Sequence, residues 1–461
     1  MPVYTDKKGV RFFYTKGGFD LKVPVSELEV SVEKGLEYKP VNSQVNTSNG
    51  ASQELSVGLE REIDMPQKGW FCGEHHIHAL GHGKWPHDRF FGNTQKTAEK
   101  GFLNACDICM GAGLNFVNFV TSSPWEIGPR YSMILKRKDF IGYSGWEWTP
   151  PTGGHLCLVN CPRFSRKGRE KGMFSHMDLL DVMKQNNAIG VFTHPYSGKV
   201  GNVSANCVAR ELPLGIALGK AKIWDVMSWG NREKALEDWA RFLNCGFKVA
   251  ASAGSDAYLN QGPPSLMRMY CKLKKLSWPG IVQSYKNGST FITDGPVVIF
   301  RVNGNDIGET IMLSGRKAEN ISIELEAFSL GGLERLEIIK NGKVIKNLDV
   351  SGRKFKDEIS LEIEETCWLA LRCRGRKNEF VGAFAQTSPI YVQFGSEPMR
   401  ASDKDIDYFV NWLETYKKVL PDFAKKYKGN LSNAKELYKK IDKAIEIYKS
   451  LKKNPRYWQH K

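Results

Sequence analysis

The feature that most constrains this chain is a repeated alternation between Trp70 and Asp256. Short apolar runs of strand character take turns with stretches of helical character. The strand candidates are WFCGEHHIH, LNFVNFV, FIGYSGWEW, HLCLVN, IGVFTHP, KIWDVMSW and FKVAASAGSD. Helical spacing predicts helices over 95–111, 175–187 and 232–244, with Ser175 placed to cap the second. Repeated βα units of this kind point to a parallel sheet or a barrel, in which strands are buried on both faces. Most of the runs end on an ionisable side chain: His78, Glu147, His194 and Asp256. Core filling does not ask for charge at the end of strand after strand, whereas barrel active sites are assembled there.

The richest of these segments is GEHHIHALGHGKWPHD, Gly73 to Asp88. It holds His75, His76, His78, His82 and His87, five of the nine histidines. Alternate side chains of a strand share a face. Glu74, His76 and His78 are therefore expected to point one way, and His75 and Ile77 the other. His-x-His on a strand sets two imidazoles side by side for chelation. The helical equivalent, HExxH, does not occur. His75 is expected to make a structural hydrogen bond, and His176 and His460 read as surface residues. The ten cysteines are too sparse for a disulfide scaffold. Cys106 and Cys109 form a CxxC inside a helical pattern and read as buried thiols, as do Cys157 and Cys161.

The remaining chain divides by pattern. Residues 1–66 read as short strands around Gly-Gly and Pro, a small β domain or extension. Residues 67–287 carry the βα alternation. Residues 288–398 alternate throughout, with Asn-Gly turns at Asn303-Gly304 and Asn341-Gly342, and fit a β-sandwich. Residues 399–461 form a basic helical segment. Ile406, Phe409, Val410, Leu413, Tyr416 and Leu420 keep helical spacing as far as Pro421, and Leu437, Ile441, Ala444, Ile445, Tyr448 and Leu451 do so again. Both stripes read as packing faces.

Taken in order, CGEHHIH, GWEWTPPTGGH, GVFTHP and ASAGSDAY resemble the metallohydrolases of the polymerase-and-histidinol-phosphatase (PHP) domain superfamily. VEKGLEYKPV, MPQKGWFCGEHHIH and STFITDGPVVIFRVNG are similar to its CehA/McbA-like branch. The resemblance spans roughly residues 10–450. It implies an α/β fold, a distorted (β/α)7-type barrel. It also implies a metal-dependent hydrolase in which two divalent ions activate a water to cleave an ester, carbamate, amide or phosphoester. The family opens with Asp-x-His-x-His, so Glu74 stands in the Asp place and His76 and His78 become metal ligands. Its bridging Glu matches Glu147, which is also assigned a catalytic role. Its Gly-His matches Gly154-His155, and its His-Pro matches His194-Pro195. Its Gly-Ser-Asp-x-His matches Gly254, Ser255 and the ligand and catalytic residue Asp256, but Tyr258 replaces the His. Where the family has Asp-His, this chain has Thr121-Ser122. Both departures fall on a third ion, which His82 or His87 would otherwise serve. The resemblance therefore implies two ions. One is held by His76, His78, Glu147 and Asp256, the other by Glu147, His155 and His194. Imidazole with carboxylate suits zinc first, with manganese and iron as alternatives.

No run of about 18 apolar residues exists, so a membrane span is not expected. The N-terminal MPVYTDKKGVRFFYTKGG has no apolar signal core, so a cytoplasmic location is expected. The net charge is +16, and about half of it follows Met399, where Lys and Arg outnumber Asp and Glu two to one. A solvated lysine-rich helical face accounts for this; nucleic acid is an allowed partner but not favoured. Arg130, Lys136 and Arg137 are either an anion site or loop surface. The expected partner is a small-molecule ester or phosphoester substrate; oligomeric state is not legible. The competing reading is a non-catalytic PHP-like module, a pseudoenzyme binding polysaccharide or nucleic acid. A nuclease is a weaker third reading.

Overall fold

The structure is a computed structural model. It describes residues 4–5, 11–15, 17–82, 95–122, 133–149, 153–161, 175–196, 208–259, 264–378, 381–426 and 434–458. His87, Arg130 and His460 lie outside the described residues, and the side chain of His82 is not described.

The expected strands and helices form. The strands are β1 (Trp70–His82), β2 (Phe116–Ser122), β3 (Phe140–Trp148), β4 (Leu156–Val159), β5 (Ile189–Phe192), β6 (Ile223–Met227), β7 (Ala250–Ala253), β8 (Ala257–Tyr258), β9 (Arg268–Lys272) and β10 (Thr290–Thr293). Every residue of β3, β4, β5, β6 and β7 is buried, which explains their near-continuous apolar composition. Helices α1 (Gln95–Gly111), α2 (His176–Gln185), α3 (Leu212–Ala217), α4 (Arg232–Asn244) and α5 (Trp278–Asn287) intervene. Three have side-chain caps that satisfy otherwise unpaired N–H groups. Ser175 accepts from Met177 N, Asn231 from Lys234 N and Ser277 from Gly280 N.

The ladders run in the order β7-β6-β5-β4-β3-β2-β1-β9-β10. The β1–β2, β2–β3, β5–β6 and β6–β7 pairs are parallel, but β4 is antiparallel to both neighbours. The short connection from Trp148 to Leu156 explains this, because a parallel crossover needs a dozen or more residues. The expected distorted (β/α)7-type barrel is not confirmed. No ladder joins β7 to β1 among the described residues; instead the chain turns after β7, and the two residues of β8 pair with β1. The sheet also continues across position 288, since β10 pairs with β9 on one side and with Phe384–Thr387 on the other.

Beyond β10, a four-stranded sheet (Val297–Val302, Asn305–Asp306, Glu319–Phe328, Lys354–Ile363) shares one core with the extended large sheet. Asn341 and Gly342 both have positive φ, 51° and 85°, as a two-residue hairpin turn requires. The terminal helices α6 (Asp403–Lys426) and α7 (Ala434–Ser450) bury the predicted stripes. Pro421 lies inside α6 and does not end it. These helices dock on α3: Trp412 Nε1 donates to Arg210 O, and Tyr448 hydroxyl donates to Pro213 O. No described helix is long and apolar enough to cross a membrane. Cys106, Cys109, Cys157 and Cys161 are all buried free thiols.

Candidate metal centre

Six side chains from five segments meet over one end of the sheet. His76 and His78 come from β1, Glu147 from β3, His155 from the turn entering β4, His194 from the turn after β5 and Asp256 from the turn after β7. His76 Nε2 lies 3.3 Å from Asp256 Oδ1 and 3.5 Å from Glu147 Oε1. His78 Nε2 lies 2.9 Å from Asp256 Oδ1 and 3.4 Å from Glu147 Oε2. Glu147 Oε1 is 2.9 Å from His155 Nδ1 and 3.2 Å from His194 Nε2. Three overlapping sets result: His76, His78 and Glu147; His76, His194 and Asp256; Glu147, His155 and His194. Within each, ligand-type atoms lie within 4.8 Å of one another.

Backbone geometry fits these roles. Six described non-glycine residues have positive φ, and four of them are Asn. The other two are His194 (φ 28°) and Asp256 (φ 55°), both in the cluster. Non-glycine residues in this region carry strain that concentrates at functional sites. Gly154, at φ 102°, could not be replaced: a Cβ there would stand 1.5 Å from Val208 O. The glycine lets the turn carrying His155 lie directly against the 208–211 segment.

The donor set suits a cation. His76 Nε2 is buried without a hydrogen-bond partner among the described residues, 3.3 Å from Asp256 Oδ1. When His76 Nδ1 donates to Thr193 Oγ1, 2.5 Å away, the Nε2 lone pair faces the two carboxylates. Burial works to raise the pKa of both carboxylates, but the surrounding imidazoles, His76 first among them, together outweigh it. Glu147 is held well below the carboxylate range, with His155 contributing, and Asp256 falls to about 2. Burial works to lower His78, yet hydrogen bonds to Asp256 and Glu147 carry it up to about 9. His194 is raised against its burial by Glu147. The centre thus stabilises positive charge, which is what a divalent ion supplies.

The neighbouring residues separate by face. His75 turns away, as expected: its Nε2 lies 3.0 Å from Asp225 Oδ1 and its Nδ1 3.2 Å from Tyr285 hydroxyl. The β1–β2 register is irregular between Glu74 and Ile77, so alternation alone does not describe this stretch. Glu74 does not join the cluster. It accepts His76 N at 2.9 Å and Ser255 N at 3.1 Å, tying β1 to the turn that carries Asp256. Burial raises its pKa to about 7. Tyr258 stacks on the His78 ring at 4.4 Å, and burial keeps its phenol neutral by pushing the pKa up. Ser122 pairs in register with Glu147 across β2 and β3. Lys136 is exposed, and Arg137 lies 3.2 Å from Asp107.

One expectation is overturned. His176 is fully buried: its imidazole stacks on Phe192 and lies 3.4 Å from Glu211 Oε2. Sequence reasoning also passed over Thr193 and Trp229. Trp229 Nε1 donates to Asp256 Oδ2 at 2.8 Å, and its ring lies 5.7 Å from that of His194. It is 45% exposed, beside a cavity of about 440 Å³ lined by Met227, Ser228, Arg232 and Met267. The position of Trp229 directly after a strand end is the signal that was available.

No protein-family model matches the chain, and no curated protein matches it. Three solved structures are similar at low level. A two-domain protein of Bacteroides vulgatus, described as containing a predicted PHP-like metal-dependent phosphoesterase, is 10% identical with a TM-score of 0.36. That match covers 70% of this chain and 95% of the other. PsfC of Pseudomonas syringae is 11% identical with a TM-score of 0.29, over 47% and 88% of the two chains. The lesion-specific endonuclease PfuEndoQ of Pyrococcus furiosus is 14% identical with a TM-score of 0.31, over 47% and 56%. Likenesses at these values do not establish a shared fold.

Proposed function

We propose that this chain is a metal-dependent hydrolase of the PHP superfamily, in its CehA/McbA-like branch, with a two-ion centre that cleaves an ester, carbamate, amide or phosphoester. The observation that carries this reading is the convergence of His76, His78, Glu147, His155, His194 and Asp256 on one point, with two of them on strained backbone. Zinc is the first choice of ion, with manganese or iron as alternatives. The chain itself divides along the proposed lines of 1–66, 67–287, 288–398 and 399–461, with the chemistry in the second part.

Each residue has a definable task. Glu147 presents Oε2 to His78 and Oε1 to His155 and His194, the arrangement a bridging carboxylate needs. His76, His78 and Asp256 complete one ion's set, and His155 and His194 the other's. When bound, such ions polarise the scissile oxygen and lower the pKa of water toward 7. Asp256, held by Trp229 through Oδ2, keeps Oδ1 towards the cluster, where it orients the attacking water and takes its proton. Thr193 fixes the His76 ring, and Glu74 fixes the backbone of Ser255.

Elemental analysis of purified protein should give about two divalent ions per chain. A screen of aryl esters, carbamates and bis-aryl phosphates should give turnover that a chelator removes and added metal restores. Turnover that persists in metal-depleted protein would refute the proposal.

A further inference from the structure

Behind the turn that carries His155 lies a second buried polar group that the proposed chemistry does not use. Its hub is Glu211, at the N-terminal edge of α3. Glu211 Oε2 accepts from Ser175 Oγ at 3.0 Å and from His176 N at 3.0 Å, and lies 3.4 Å from His176 Nδ1. Glu211 Oε1 accepts from the hydroxyl of Tyr416, on α6, at 2.9 Å. Its own backbone N–H donates to Gly153 O at 3.2 Å. A Cβ on Gly153 would meet His176 Nδ1 at 2.1 Å, and one on Gly154 would meet Val208 O. The two glycines before His155 are therefore clamped between α2 and the 208–211 segment, and α6 closes the clamp from behind.

We propose that Glu211 is a positioning residue for His155, and that the C-terminal helix α6 acts on the metal centre through the chain Tyr416–Glu211–Gly153. The inference rests on the metal-centre reading for its consequence, but not for its geometry. His155 differs from the other ligand-type residues in needing such a support. It enters an antiparallel strand and does not leave a parallel one, so no βα turn holds it. Its side chain is 35% exposed, whereas those of His76, His78 and His194 are 4% or less. Partners that orient a ligand from behind typically change metal affinity about 10–100-fold when removed. The α6 helix thus acquires a role in the site that its lysine content does not suggest.

The test compares the full-length wild type with Glu211→Gln and Tyr416→Phe in two measurements. Stepwise zinc binding by calorimetry should show the first ion changed by less than about threefold and the second weakened about tenfold or more in Glu211→Gln. Tyr416→Phe should move the second ion in the same direction by less. In metal-free protein, carbethoxylation followed by mass spectrometry should show His155 reacting several-fold faster in both variants relative to His194. Equal weakening of both ions together with a lowered Tm would mean Glu211 is merely structural and would overturn the proposal. So would wild-type reactivity of His155 in both variants. If wild-type protein binds no zinc, the hydrolase reading fails, and the His155 reactivity still decides this one. Tyr416→Phe removes a single hydroxyl and serves if Glu211→Gln does not fold.

Discussion

His75 and His76 are neighbours in sequence, are both fully buried and both face carboxylates, yet their surroundings are opposite in kind. Around His75, one imidazole meets one carboxylate, Asp225, whose Oδ1 also accepts from Ser252 Oγ at 2.7 Å. The second ring nitrogen reaches Tyr285 hydroxyl. The charges form a pair, with Asp225 Oδ2 left buried without a hydrogen bond. Burial opposes the pair, but Asp225 raises the pKa of His75 and His75 lowers that of Asp225. Around His76, four imidazoles and two carboxylates converge in three overlapping sets, each with its ligand-type atoms within 4.8 Å of one another. A single pair of this type suits the architecture; a convergence of six ligand-type side chains suits the proposed ions. Burial and residue type alone do not tell the two apart.

The contrast can be broken by substitution. Glu147→Ala, which removes the residue shared between the two proposed ions, should abolish bound metal and hydrolytic activity together. It should also cancel the stabilisation that zinc gives the wild type, about 2.7 kcal/mol at a hundredfold excess over Kd. Activity retained in this variant would collapse the distinction. Asp225→Ala should do the reverse. It leaves His75 buried without its partner and should lower stability by about 3–5 kcal/mol, read as a shift in urea midpoint. In the protein that remains folded, zinc stoichiometry should be unchanged; loss of zinc would merge the two groups.

Smaller changes sharpen the comparison. Thr193→Val removes the oxygen that orients His76, and zinc affinity should fall about 10–100-fold with little change in stability without metal. An unaltered affinity would show that the ring is held by packing alone. Ser252→Ala takes one hydrogen bond from Asp225 and should cost about 1 kcal/mol in chemical denaturation, with no effect on metal.

Much of this was legible from residues alone. Strand periods, helical spacing and the Ser175 cap placed β3, α2 and α4 within a residue or two, because such elements are fixed by local burial and local hydrogen bonding. His78, Glu147, His194 and Asp256 could be picked out because each stands near the end of an apolar run, and His76 by its His-x-His spacing; His155 was implied only by the family resemblance. The direction of β4 was less accessible, since it depends on the length of a connection and not on composition. The burial of His176 was invisible because the groups around it, Phe192 and Glu211, come from other elements of the chain. The Trp229–Asp256 contact was hidden for the same reason, as nothing local links a tryptophan after β6 to an aspartate after β7.

The sequence by itself determined which chemistry is available: histidines and carboxylates near strand ends, and glycines before His155. Only the tertiary structure decided which of those groups share a centre. Side-chain identity travels with the chain, whereas convergence depends on strand order, on the left-handed backbone at His194 and Asp256, and on the distant helix that closes behind Glu211. The same pairing of imidazole with carboxylate became a structural brace at His75 and an open cluster at His76 because the partners arriving from other strands differ in number.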